Sequence, residues 1–166
     1  MIVTKHYNDD CVRFSDNYEG EVHSVVTDPP YGIEYLGNDW DSYQNCIAFK
    51  KSTWESISKP LKPGGYLVIF GASKTFHRLT CAVEDSGLKI KDVLMWLYGQ
   101  GMPKSQNIGK KDPNWEGWGT GLKPCYEPIL LAQKPISEKT IVKNCQEHCL
   151  LYTSDAADER SSVDLG

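Results

Sequence analysis

Asp28-Pro29-Pro30-Tyr31 puts a carboxylate, two prolines and a phenol ring on four consecutive residues. The prolines fix their own φ and carry no N–H, so the backbone cannot extend a sheet here, and the carbonyl oxygens of Asp28 and Pro29 are left available. Two acceptors beside an aromatic ring suit an exocyclic amine on a flat base. Its two N–H groups need two acceptors, and its π-face needs a stacking partner. The competing reading is an ordinary Pro-Pro turn.

The flanking elements would have to present this turn at an edge. Ser24-Val25-Val26-Thr27 is a short β-branched run, read as a buried strand that stops at the prolines. Residues 32–40, with two glycines and two aromatics, read as a mobile cover over the turn. Tyr43, Ile47, Trp54, Ile57 and Leu61 recur at helical spacing, which predicts a helix over about 42–59 capped by Asp41 or Ser42. Tyr66-Leu67-Val68-Ile69-Phe70 is a continuous apolar strand, and strand, helix, strand is a βαβ crossover. A second helix follows Gly71-Ala72-Ser73, with Phe76, Leu79 and Val83 on one face and Gly87 past its end. Residues 91–98 and 127–133 read as two more strands, and residues 1–7 as a possible short one. The class is α/β.

Two further groups bear on function. Asp10, at a turn before the first strand, could accept from an adenine amino group or a ribose hydroxyl, or could cap the next segment. Residues 99–124 are glycine-rich and carry Lys104, Lys110, Lys111 and Lys123 with Trp115 and Trp118 interleaved. Lysines neutralise phosphate and planar rings stack on unpaired bases, so this is the most plausible nucleic-acid surface. It could equally be a long loop buried against another part of the protein.

Asp28-Pro29-Pro30-Tyr31 resembles the catalytic motif of the amino-directed DNA methyltransferases. Residues 98–105 (YGQGMPKS), residues 115–124 (WEGWGTGLKP) and Glu127-Pro128-Ile129 are similar to what the β arrangement of that family carries downstream. The resemblance spans about residues 7–135. It implies an incomplete Rossmann-like methyltransferase sheet, mostly parallel with helices on both faces, in which residues 1–148 are the catalytic half and 99–124 the DNA-contact loop. It also implies S-adenosylmethionine as methyl donor and double-stranded DNA as partner. Asp28 and the Pro29 carbonyl would accept the amino hydrogens, Pro30 would hold the turn and Tyr31 would stack on the flipped base. Asp10 and Asp28 would approach the cofactor. The acid at the first motif position favours adenine N6, with cytosine N4 as the alternative. The family's main glycine-rich cofactor loop is absent, so a non-catalytic DNA-binding or partner-binding remnant is the second reading.

Composition is ordinary for a 166-residue soluble domain, with 40% hydrophobic and 24% charged residues. No apolar run of membrane-spanning length and no signal-peptide pattern occurs, so the default expectation is a cytoplasmic protein with no membrane partner. The six cysteines read as free thiols. Residues 149–166 resemble the translation of a sequencing-library adapter, and are read as a non-native tail that begins where the fragment ended. Leaving out their four acids and one arginine takes 22 acidic and 18 basic residues to 18 and 17, so the net charge of −4 becomes −1. A nearly neutral body is compatible with a locally basic DNA surface. The same reading removes Cys149 from Cys145-Gln146-Glu147-His148-Cys149, so no metal site is proposed there.

Overall fold

The structure is a computed structural model that describes residues 3–101, 105–122 and 124–148. The adapter-like segment 149–166, Lys104 and Lys123 lie outside the described residues. Four strands, β1 (Val22–Thr27), β2 (Leu61–Phe70), β3 (Lys89–Leu97) and β4 (Tyr126–Gln133), form one sheet in the order β1-β2-β4-β3. The described helices are α1 (Cys11–Asn17), α2 (Lys51–Ile57), α3 (Phe76–Asp85) and α4 (Ile141–His148).

The crossover from β1 through α2 to β2 is parallel, with Val25 opposite Leu67 and Thr27 opposite Ile69. β4 runs antiparallel to both its neighbours, so β1, β2 and β3 share one direction and β4 alone runs against them. The sheet is mostly parallel in strand direction, yet mixed in its pairings. A parallel return needs a long crossover, commonly helical. The described residues between 98 and 125 supply no α-helix, only short turns at Ile108–Lys110 and Pro113–Trp115, and the chain comes back antiparallel.

The core lies on one face of the sheet. Leu67, Ile69, Leu130 and Ala132 are fully buried there against Trp54 and Ile57 of α2 and Leu79 and Val83 of α3. Burying side chains of this size contributes roughly 1.5–3 kcal/mol each. The opposite face carries Val26, Val68, Phe70 and Leu131, and Val26 is 68% exposed. α2 and α3 share one face of the sheet in a single buried cluster.

Local expectations differ in several places. The helix expected over 42–59 is limited to Lys51–Ile57, because Asp41 is spent on the preceding loop rather than on a helix cap. Asp10 begins α1, a short helix where the sequence suggested only a turn. The first described residues, 3–8, form no strand. The strands expected to be buried at 24–27 and 93–98 form but lie largely open, with no buried residue in β1 and Val93 to Leu97 of β3 all exposed, whereas Gly87 at φ +92° ends α3 as expected.

Candidate active site

β1 ends at Thr27, and residues 28–31 turn away from the sheet at the edge where β2 and β3 also end and β4 begins. Three side chains from separate elements fasten this turn. The Cys46 thiol donates to the Pro30 carbonyl at 3.2 Å, and the Thr75 hydroxyl, at the N-terminus of α3, donates to the Tyr31 carbonyl at 2.6 Å. Asp41, 2% exposed, accepts from the backbone N–H of Gly32 at 2.7 Å, Ile33 at 3.3 Å and Tyr35 at 3.0 Å. The Pro29 carbonyl meets no donor among the described residues. It is an acceptor with its lone pairs unclaimed, beside an exposed Asp28.

Gly32 takes φ +65°, and a Cβ there would lie 2.3 Å from the Phe49 ring. Only glycine satisfies both constraints. Glu34 and Leu36 also adopt positive φ, 56° and 54°, so the segment after Tyr31 is a bent loop pinned by Asp41. Tyr35 and Trp40 on it are 57% and 56% exposed.

Tyr31 is half-buried and its phenol donates to Glu127 Oε1; the Tyr98 phenol donates to Glu127 Oε2 at 2.5 Å. Asp28 also faces the Tyr31 phenol. Burial, then hydrogen bonds to Glu127 and to Asp28 and the charges of both, push the Tyr31 phenol far above its ordinary value. Glu127, by its hydrogen bond, likewise raises Tyr98. Residues 28–31 are thus drawn together with Cys46, Thr75, Asp41, Tyr98 and Glu127, none of which the sequence marks as part of a site. Tyr98 and Glu127 were visible only inside segments similar to the family's, with no site role given to them; Asp41 was visible only as a helix cap.

Asp10 stands apart from this cluster. Its Oδ1 accepts from Val12 N at 3.0 Å and Arg13 N at 2.9 Å, the capping alternative, while Oδ2 has no partner among the described residues. Lys110, Lys111, Trp115 and Trp118 are exposed. The two indoles meet edge to face, 5.9 Å between centroids, in a loop closed by the Asn107 and Gly119 bridge. That loop reaches the site through its root, where Tyr98 N donates to Cys125 O at 2.8 Å. Among the described residues no group of metal-ligating side chains is gathered, and no helix is long and apolar enough to cross a membrane.

Comparison with known proteins adds to this geometry. A family profile described as DNA methylase (N6_N4_Mtase) matches residues 22–161, well over half of the chain. Type II methyltransferase M.HindIII of Haemophilus influenzae is 25% identical over 196 residues, covering 84% of this chain and 63% of that protein. Among solved structures, M1.HpyAVI superposes with a TM-score of 0.53 at 20% identity, over 78% of this chain and 54% of that one. TTHA0409 of Thermus thermophilus superposes with a TM-score of 0.55 at 22% identity, over 86% and 59%. At such identities the two structures speak for the fold alone. The chain spans less than two thirds of each of these relatives. Taken with the profile match, these findings establish that the chain belongs to the N6_N4_Mtase family of DNA methylases.

Proposed function

We propose that this chain carries the base-holding half of an S-adenosylmethionine-dependent DNA methyltransferase acting on adenine N6. The observation that carries the reading is the pair of acceptors at the end of β1, the exposed Asp28 carboxylate and the unclaimed Pro29 carbonyl, beside the ring of Tyr31. A base flipped from the duplex would lay its face on Tyr31 and give its two amino hydrogens to these acceptors. Accepting both draws the nitrogen lone pair out of conjugation and aims it at the methyl donor. No covalent enzyme intermediate is needed, since orientation and charge placement supply the catalysis.

The methyl group would come from S-adenosylmethionine; M1.HpyAVI has been crystallised as a SAM complex and TTHA0409 complexed with S-adenosyl-L-methionine. The residues present fit part of such a donor. Asp10 Oδ2 is free to accept from an adenosine amine or hydroxyl, and Asp28 offers charge to a nearby cation. The glycine-rich loop of the family is not in this sequence. Lys104, Lys110, Lys111, Trp115, Trp118 and Lys123 are proposed to contact double-stranded DNA, and residues 1–148 to form the catalytic half. A cytoplasmic location goes with this reading.

A second reading is favoured by the exposed lysines and indoles of the 99–124 segment, Lys110, Lys111, Trp115 and Trp118, which suit nucleic acid with no part in methyl transfer. On that reading the chain binds DNA without transferring a methyl group. Filter binding and methyl transfer on unmethylated DNA separate the two: binding with transfer supports the first, binding without transfer the second.

A further inference from the structure

Among the described residues, Glu127 is the acid of another strand that hydrogen-bonds the turn at residues 28–31. It sits near the start of β4, opposite Trp96 of β3, and is followed by the buried Pro128 and Ile129, so its backbone is held in the sheet. Tyr31 comes from the turn after β1, with β2 lying between the two strands. The Tyr31 and Glu127 bond therefore spans the ligand edge of the sheet, and the second oxygen of the same carboxylate takes the Tyr98 phenol.

A phenol has a single proton to give. Glu127 and Asp28 both stand within hydrogen-bond reach of the Tyr31 phenol and compete for that proton, with Glu127 the stronger partner. While Glu127 holds the proton, Asp28 spends no lone pair on it. We infer that Glu127 is a positioning residue that fixes the Tyr31 ring by its hydroxyl and keeps the Asp28 carboxylate open to the substrate amine. The inference rests on the reading of residues 28–31 as the base-holding turn. Without the Glu127 charge, the nearest alternative acceptor for the Tyr31 proton is Asp28, and a carboxylate that accepts from its own neighbour is a poorer partner for an incoming amine. Tyr98 gives the clamp a second consequence, because it roots the 99–124 segment and ties that segment to the catalytic turn.

The test uses the full chain with 13C at the tyrosine ζ carbon and the aspartate γ carbon. Tyr31→Phe and Tyr98→Phe assign the two ring signals, and Asp28→Asn assigns the carboxyl. Expected are two tyrosines that ionise above the others and that Glu127→Gln brings down toward them. The Asp28 carboxyl signal should move in Glu127→Gln, yet in the Glu127→Gln, Tyr31→Phe double variant it should match Tyr31→Phe alone. Tyr31 ionising with the bulk tyrosines, or an Asp28 signal indifferent to Glu127, would overturn the proposal. In a methyl-transfer assay Glu127→Gln should lower turnover at least tenfold with little change in half-saturating DNA, and less than twofold in the Tyr31→Phe background. An equal loss in both backgrounds also overturns it. If the wild-type chain transfers no methyl group, the methyltransferase reading fails, and the carbon signals still decide the clamp.

Discussion

The carboxylate of Asp41 accepts at 2.7 Å from the backbone N–H of Gly32, the first residue after the Asp28-Pro29-Pro30-Tyr31 turn, and accepts from Ile33 and Tyr35 as well. One buried acid thus closes the loop that would otherwise leave three amide donors without partners. Asp41→Ala should destabilise the chain by about 3 kcal/mol, the range for a buried charged acceptor with several donors left behind. Urea midpoints measure it, and Asp41→Asn should lose less, since its amide oxygen still accepts.

Gly32→Ala tests the same loop from the backbone. Its φ of +65° and the 2.3 Å approach to Phe49 make a side chain doubly unfavourable. A loss of roughly 2–4 kcal/mol is expected, from left-handed strain together with overpacking. Phe49→Leu in the same chain should recover the packing part and leave the backbone part, read from the same urea curves.

The two clamped phenols make stability depend on alkaline pH. The folded chain holds their protons more tightly than an unfolded chain, in which a tyrosine ionises near about 10. Their contribution is therefore fully present below about pH 10 and is lost as the pH rises beyond it. Urea midpoints at pH 8 and pH 11 should fall in the native chain, and the fall should be smaller in Tyr31→Phe.

If the 99–124 segment meets DNA, its residues divide by role. Lys110→Ala with Lys111→Ala should weaken binding to all sequences alike and reduce the slope of log affinity against log salt by about 1–2. Trp115→Ala or Trp118→Ala should cost about 1–3 kcal/mol on single-stranded or flipped-base DNA with the salt slope unchanged. Salt titrations on both substrates distinguish these from a loop that serves only packing.

Local pattern made much of the fold legible. Val25 and Val26 before two prolines announce a strand that ends at an edge, and the Leu67 and Ile69 run announces its covered neighbour. The helical spacing from Tyr43 to Leu61 misled, because Asp41 binds backward to Gly32 and holds residues 32–41 as a loop. α1 was missed because seven residues give too little periodicity to stand out from a turn. The site was legible only at residues 28–31. The partners that hold them, Thr75 and Glu127, lie 44 and 96 residues from Tyr31 in the chain. No local spacing encodes contacts of that range, since they exist only once the strands are side by side.

The central claim is that the Asp28 and Pro29 acceptors hold a base amine for methylation, and methyl transfer tests it most directly. The full chain is incubated with unmethylated DNA and isotopically labelled S-adenosylmethionine at millimolar concentration, and the DNA is digested to nucleosides. The predicted result is label in N6-methyldeoxyadenosine, reduced at least ~100-fold by Asp28→Ala while DNA binding is largely retained. Absence of label, label in N4-methyldeoxycytidine, or an Asp28→Ala variant within a few fold of the native chain would contradict it.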